Sequence, residues 1–361
     1  MLPYLSAAAM RSLAPSLSLP RCAGEGTLAI SKSGDGPDQP PLPRSGGGLG
    51  WGRATLLLSL FLRFAAPALA EEAFVTAQSA DAVSVVDLSA MKTVATLPIG
   101  GKPAGVAVSP DGARVYVSSP DGQFVTVIDA RKRTIVKKIP LKGAPLGVAA
   151  SPDGKRLYAT LAYDRLLVEI DPESGATREA PVGAMASGVA ATPDGRTILV
   201  ADRDDNAVSF IDAASFARVA TLPVGKHPFG VTIDAAGARA YTANVESDDV
   251  SVIDLAARKV VGTLKTASRP YTVALASGRI FVADQHADAV SVFDAASLAP
   301  AGEVKVGEYP EGIAASPDGT RVYVANWFSN ELWAIDARTL QVTGKAETGD
   351  GPRAFGAFVT R

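Results

Sequence analysis

The chain has 361 residues, with 34 Gly, 25 Pro, 47% hydrophobic residues and a formal net charge of −2. That length holds two average domains or one large all-β domain, and a turn-rich composition without long amphipathic helical patterns points to many short strands. Residues 1–70 carry six Lys/Arg and three Asp/Glu, leaving 29 and 34 for the rest, so the body has no basic footprint for nucleic acid.

The first seventy residues read as a presequence and not as folded protein. The stretch SGDGPDQPPLPRSGGGLGWGR, Ser33 to Arg53, is rich in Pro and Gly, has no hydrophobic period and cannot bury a core. Arg53 then precedes an apolar run, Ala54 to Leu62, and Ala68-Leu69-Ala70 supplies the small-x-small pattern of signal peptidase cleavage. The run is shorter than the roughly 20 residues a permanent transmembrane helix needs. The expectation is therefore a secretory signal peptide cut after Ala70, with a native start downstream of Met1, a periplasmic location and no stable membrane insertion. Cys22, the only cysteine, falls in this segment, so the exported body has no disulfide, thiolate metal site or cysteine nucleophile.

From Phe74 onward the chain repeats itself. Aligned on the aspartate that closes each VSVID-like stretch, the units fall at Asp87, Asp129, Asp171, Asp212, Asp254, Asp294 and Asp336, spaced 42, 42, 41, 42, 40 and 42 residues apart. A period near forty built from strands and turns is that of a β-propeller blade, a sheet that buries both faces only when neighbours stack around a ring. Four strands, A to D from the axis outward, are legible in each unit, for example 146–151, 156–161, 165–170 and 176–182. The A–B turns read SPDG or TPDG, which is tight-turn chemistry. The first unit begins at its B strand, AFVTA from Ala73, and the chain closes on a surplus A strand, PRAFGAFVT from Pro352. The fold expected is an all-β, seven-bladed propeller over 71–361, its ring closed by Pro352–Thr360 pairing beside Ala73–Ala77, which removes two exposed sheet edges.

YVANWFSNELWAID, YTANVESDDVSVID, TLPVGKHPFGV and GVAVSPDG resemble the YVTN family of seven-bladed propeller repeats, found in secreted and surface-layer proteins of bacteria and archaea. The resemblance spans Phe74 to Phe358. It implies the fold and a secreted setting and does not choose an activity, because similar rings serve the amine dehydrogenase heavy chain, the haem d1 domain of nitrite reductase and bacterial lactonases.

Strand alternation puts the A–B and C–D turns on one face of the ring and the B–C loops and D–A connections on the other. The first face is repetitive, and its seven aspartates read as turn caps. On the second face the units diverge. B–C loops open on Ala77, Ser119 and Leu161 in three units, but on Asp202, Asn244, Asp284 and Asn326 in the next four. The matching D–A positions are Ala104, Leu146 and Ser187, then Phe229, Tyr271, Glu311 and Arg353. Arg203, His227, Arg269, His286, Tyr309 and Trp327 join them on the same rim. The Asp and Asn side chains also suit closure of their own loops on the backbone. The candidate ligand-binding set is thus Asp202, Arg203, His227, Asn244, Arg269, Tyr271, Asp284, His286, Glu311, Asn326, Trp327 and Arg353. Arg269, Arg353, His227 and Tyr271 at one channel mouth would suit an anionic ligand, and Trp327 with Phe328 would suit a protein partner. No metal set, C-x-x-C-H motif, nucleophile elbow or phosphate loop is present, so no cofactor and no catalytic residue is expected. The reading is a binding or scaffold module; a redox or hydrolytic enzyme on the same ring is the alternative.

Overall fold

The computed structural model describes residues 71–360. The presequence expected over 1–70 and its cleavage after Ala70 lie outside the described residues. Within them the chain forms seven sheets, and the one helical element is a 3-10 turn, Arg203–Asp205. The chain is a seven-bladed propeller. Blade one holds strands Glu72–Ala77, Ala82–Asp87 and Lys92–Pro98, and blade two runs outward from Gly105–Val108. Blades three to seven begin at the axis with Pro145–Ala150, Ala186–Ala191, Pro228–Ile233, Pro270–Ala276 and Pro310–Ala315. All neighbouring strands within these blades are antiparallel, so the two kinds of turn sort onto two faces as the alternation requires.

The local chemistry is that of the repeat. In each SPDG or TPDG turn the Ser or Thr hydroxyl donates to the Asp carboxylate at 2.6 Å, and that carboxylate accepts the amide two residues on. The seven aspartates cap the C–D turns, as Asp212 does by accepting the amide and hydroxyl of Ser215. Such bonds favour the ionised form, and they hold Asp87, Asp171, Asp212, Asp294 and Asp336 below the ordinary carboxylate range.

Between blades the alternating apolar side chains interlock, for instance Phe74, Val83, Val117, Tyr323, Leu332 and Phe358 where blade one meets its neighbours. Hydroxyls on the second strands stitch each blade to the next: Thr76, Ser118 and Thr160 each donate to a carbonyl at or just before the following inner strand, at Ala104, Leu146 and Ser187. The inner-strand glycines permit this proximity. A Cβ on Gly147 would sit 2.2 Å from the Ser187 carbonyl oxygen, and one on Gly105 2.3 Å from that of Leu146.

Closure follows the expected pairing at both ends of the last strand and departs from it in the middle. Pro352 bridges Ala77 and Val359 bridges Ala73, with Arg353 N–H donating to the Thr76 carbonyl and Phe74 N–H to that of Phe358. Yet the closing strand takes seven steps between its bridges where its partner takes four, while in blade five Pro228 to Ile233 takes five against four. The two extra residues cannot lie in the ladder. They push Phe355–Ala357 toward the axis, where the segment pairs in parallel with Gly105–Val108 of blade two. Pro352–Thr360 thus closes the ring beside Ala73–Ala77 as expected, as a bulged strand shared between two blades.

Candidate functional site

The rim residues reach their places through a device that recurs around the B–C/D–A face. The residue before the inner-strand proline is left-handed at Lys102, His227, Arg269 and Tyr309, with φ between 54° and 60°, where a pre-proline residue is ordinarily extended. Each of their amides donates to the side chain of an Asp or Asn 21 residues earlier, itself left-handed: Asp81, Asn206, Asp248 and Asp288, at 2.7–2.9 Å. Gly351 and Asn330 repeat the pair. The clamp holds the backbone and leaves the side chain directed onto the rim. These acceptors were not singled out in the sequence, although the constant spacing was there to be read.

On this frame the predicted residues part into three groups. Asp202, Asn244, Asp284 and Asn326 are fully buried and engage their own blades. Asp202 accepts from Gly183 N at 2.8 Å and Ser209 Oγ at 2.6 Å. Asp284 accepts from the amide and hydroxyl of Ser291. Asn244 donates to Asp249 and Ser251, and Asn326 to the carbonyls of Val324 and Glu331. Burial raises the two acids against the lowering by their hydrogen bonds, Asp202 to about 6 and Asp284 to about 7.

A second group closes the axis. Phe229, Tyr271 and Phe355 are buried against one another, Phe229–Tyr271 stacked with ring centroids 4.0 Å apart and Phe229–Phe355 tilted at 4.7 Å. Over them lie Glu311 and Arg353, the ion pair at 3.0 Å. Gln285 Nε2 donates to Glu311 at 2.7 Å, and Arg353 donates to Tyr271 Oη and Gln78. The guanidinium Nε–H is close to the carboxylate but not aligned on it, so charge and not hydrogen-bond geometry joins them there. Burial raises the Glu311 pKa, with Arg353 opposing. Of the groups expected to suit an anionic ligand, Arg353 is thus already paired, with a carboxylate on the neighbouring inner strand. Phe355 and Gln285 were not anticipated in these roles; the displaced glycine of Pro352-Arg353-Ala354-Phe355-Gly356, four residues after its proline instead of two, was the available signal for the first.

The third group is at the surface. His286 meets Tyr309 with ring centroids 5.4 Å apart and Tyr309 meets Phe328 at 5.0 Å, both in tilted contact, and Phe328 is 63% exposed beside half-buried Trp327. Burial and nearby Arg269 lower the His286 pKa, so its ring is neutral at neutral pH. His227 Nδ1 lies 3.1 Å from Glu246, and Arg203 Nε 3.6 Å from Asp204. Carboxylates thus interleave with the bases around the rim. Among the described residues no group of three His, Cys, Asp or Glu is arranged to hold a metal ion, and no helix is long and apolar enough to cross a membrane.

The class defined by this architecture is the seven-bladed β-propeller. Residues 63–156 match the family described as YNCE-like beta-propeller. A search of the curated proteins finds no match. Among solved structures the chain is similar to hydrazine synthase of Kuenenia stuttgartiensis, at 22% identity and a TM-score of 0.65, over 70% of this chain and 89% of that one. It is also similar to a functionally unknown protein from Desulfotomaculum acetoxidans DSM 771, at 16% identity and 0.68, over 79% and 99%. At these identities the likeness is one of fold.

Proposed function

We propose that the protein is an exported, non-catalytic binding module whose protein partner docks on the B–C/D–A face over blades five to seven. The observation that carries this reading is the run of rings in tilted contact, His286, Tyr309 and Phe328, ending in an aromatic left 63% in solvent. Aromatic anchors ringed by mixed charge are what protein interfaces use. A small anion is the weaker candidate for this face, since Arg353 is matched by Glu311 and His286 is neutral. Export rests on the apolar run and the Ala68-Leu69-Ala70 pattern, and the first strand opens at Glu72, directly after the expected cut.

The test is site-specific photo-crosslinking in a periplasmic extract, with p-benzoylphenylalanine placed at Phe328 or, as control, at Val136, which is 50% exposed on an outer strand. A discrete adduct from Phe328 alone is expected. No adduct there, or the same adducts from Val136, overturns the docking face. The mass of the mature protein checks export separately: an N-terminus at Glu71 is expected, and peptides from Ser33 to Arg44 in mature material refute it.

A further inference from the structure

The opposite face carries a feature that the rim does not explain. Between the A–B turns a cavity of about 540 Å³ runs down the axis to the aromatic stack, with Phe355 in its lining. Leu146, Phe229, Tyr271 and Phe355 are buried side by side at its far end, which makes it blind. Its walls are inner-strand residues past the constriction, such as Ala149, Ala190, Ala314 and Ala357, and the lining contains no ionisable side chain. The two hydroxyls in it are already committed, Thr232 to the Val273 carbonyl and Thr272 to that of Glu311.

The backbone supplies the polarity that the side chains lack. In blades three to seven the inner strand is the terminal strand of its sheet, so among the described residues its axial edge has no strand partner. Blade two is different: its inner edge is covered by Phe355–Ala357, an extended segment that the chain itself lays along it. The cavity is therefore apolar in its side chains and rimmed by peptide groups, and its volume lies within the ~300–1,000 Å³ range of small-molecule sites. A charged ligand would lose its hydration against walls that offer no counter-charge. A pure hydrocarbon would bury strand-edge amides and carbonyls without partners.

We propose that this blind cavity binds an uncharged small molecule with an apolar body and amide- or hydroxyl-type hydrogen-bonding groups, entering from the face opposite the rim. A matched pair of fluorophores tests the charge requirement. N-phenyl-1-naphthylamine is uncharged, and 8-anilinonaphthalene-1-sulfonate is the same skeleton with a sulfonate. The first is expected to bind saturably, one per chain, and at least about tenfold more tightly than the second.

Ala357 and Ala235 line the cavity and are exposed, so larger side chains there enter its space and not the core. Ala357→Trp is expected to weaken the uncharged probe by at least about tenfold, and Ala235→Trp, at the mouth, serves if the first variant does not fold. Val136→Ala, on an outer strand, is expected to change nothing. Absence of saturable binding, which would mean a column of water only, overturns the proposal. So does equal binding of the sulfonate, unchanged affinity in a folded tryptophan variant, or loss of binding in Val136→Ala.

Discussion

Asp284→Asn is expected to stabilise the propeller, and to do so more as pH rises. The carboxyl is fully buried at the end of its strand, and burial lifts its pKa to about 7 despite the amide and hydroxyl of Ser291. In the unfolded chain an Asp titrates near 3.9. Between about pH 4 and pH 7 the folded state therefore binds more protons than the unfolded state, and wild-type stability falls as pH rises through that window. About three units of difference set a ceiling of about 4 kcal/mol on the loss. Asparagine removes the titration and fits the site, since Asn244 occupies the matching position in blade five and donates to Ser251 at 3.0 Å. Thermal unfolding at pH 4, 6 and 8 is the assay. The variant should exceed wild type by little at pH 4 and by a margin that grows up to pH 7 and is level beyond it. Parallel curves for the two proteins would refute the assignment of a buried, protonated carboxyl.

Arg353→Ala should cost about 3–5 kcal/mol, the usual result of stranding one member of a buried ion pair; adding Glu311→Gln should recover much of the loss in thermal melts, and an additive double variant would show that the two do not act as a pair. Deleting Pro352–Arg361 removes buried Phe355 and Phe358, each worth about 3–5 kcal/mol on truncation, and reopens two strand edges, so the truncated chain should fail to fold or melt far below wild type by circular dichroism; an unchanged melting temperature would sink the closure.

Features repeated seven times were legible because each copy confirmed the others. The period, the strand order, the turn caps at Asp87 through Asp336 and the surplus last strand all came from spacing and turn chemistry. The axial plug was less accessible, since whether Phe229, Tyr271 and Phe355 meet depends on how tightly the ring closes, which the inner-strand glycines permit and no single unit declares. Glu311 and Arg353 are 42 residues apart in sequence and become partners only as neighbours around the axis. The polar series Asp202, Asn244, Asp284 and Asn326 stood out by residue type alone; burial then separated it from the rim, and one unit gives no measure of burial. The two-residue insertion before Gly356 occurs once and has no second copy among the units, so only the displaced glycine marks it.

The closing strand also sets an order of events. Glu72 and Thr360 exchange hydrogen bonds across 288 positions of sequence, so the first blade to emerge during synthesis is the last to be finished. Until Pro352–Thr360 is available, Glu72–Ala77 presents an open edge and the ring has a gap between its first and seventh blades. Joining ends so distant carries a loop-closure cost and slows folding. A ribosome would therefore release six sheets that have their own four strands and one three-stranded sheet still waiting for its innermost, and the circle locks only after the last strand has emerged.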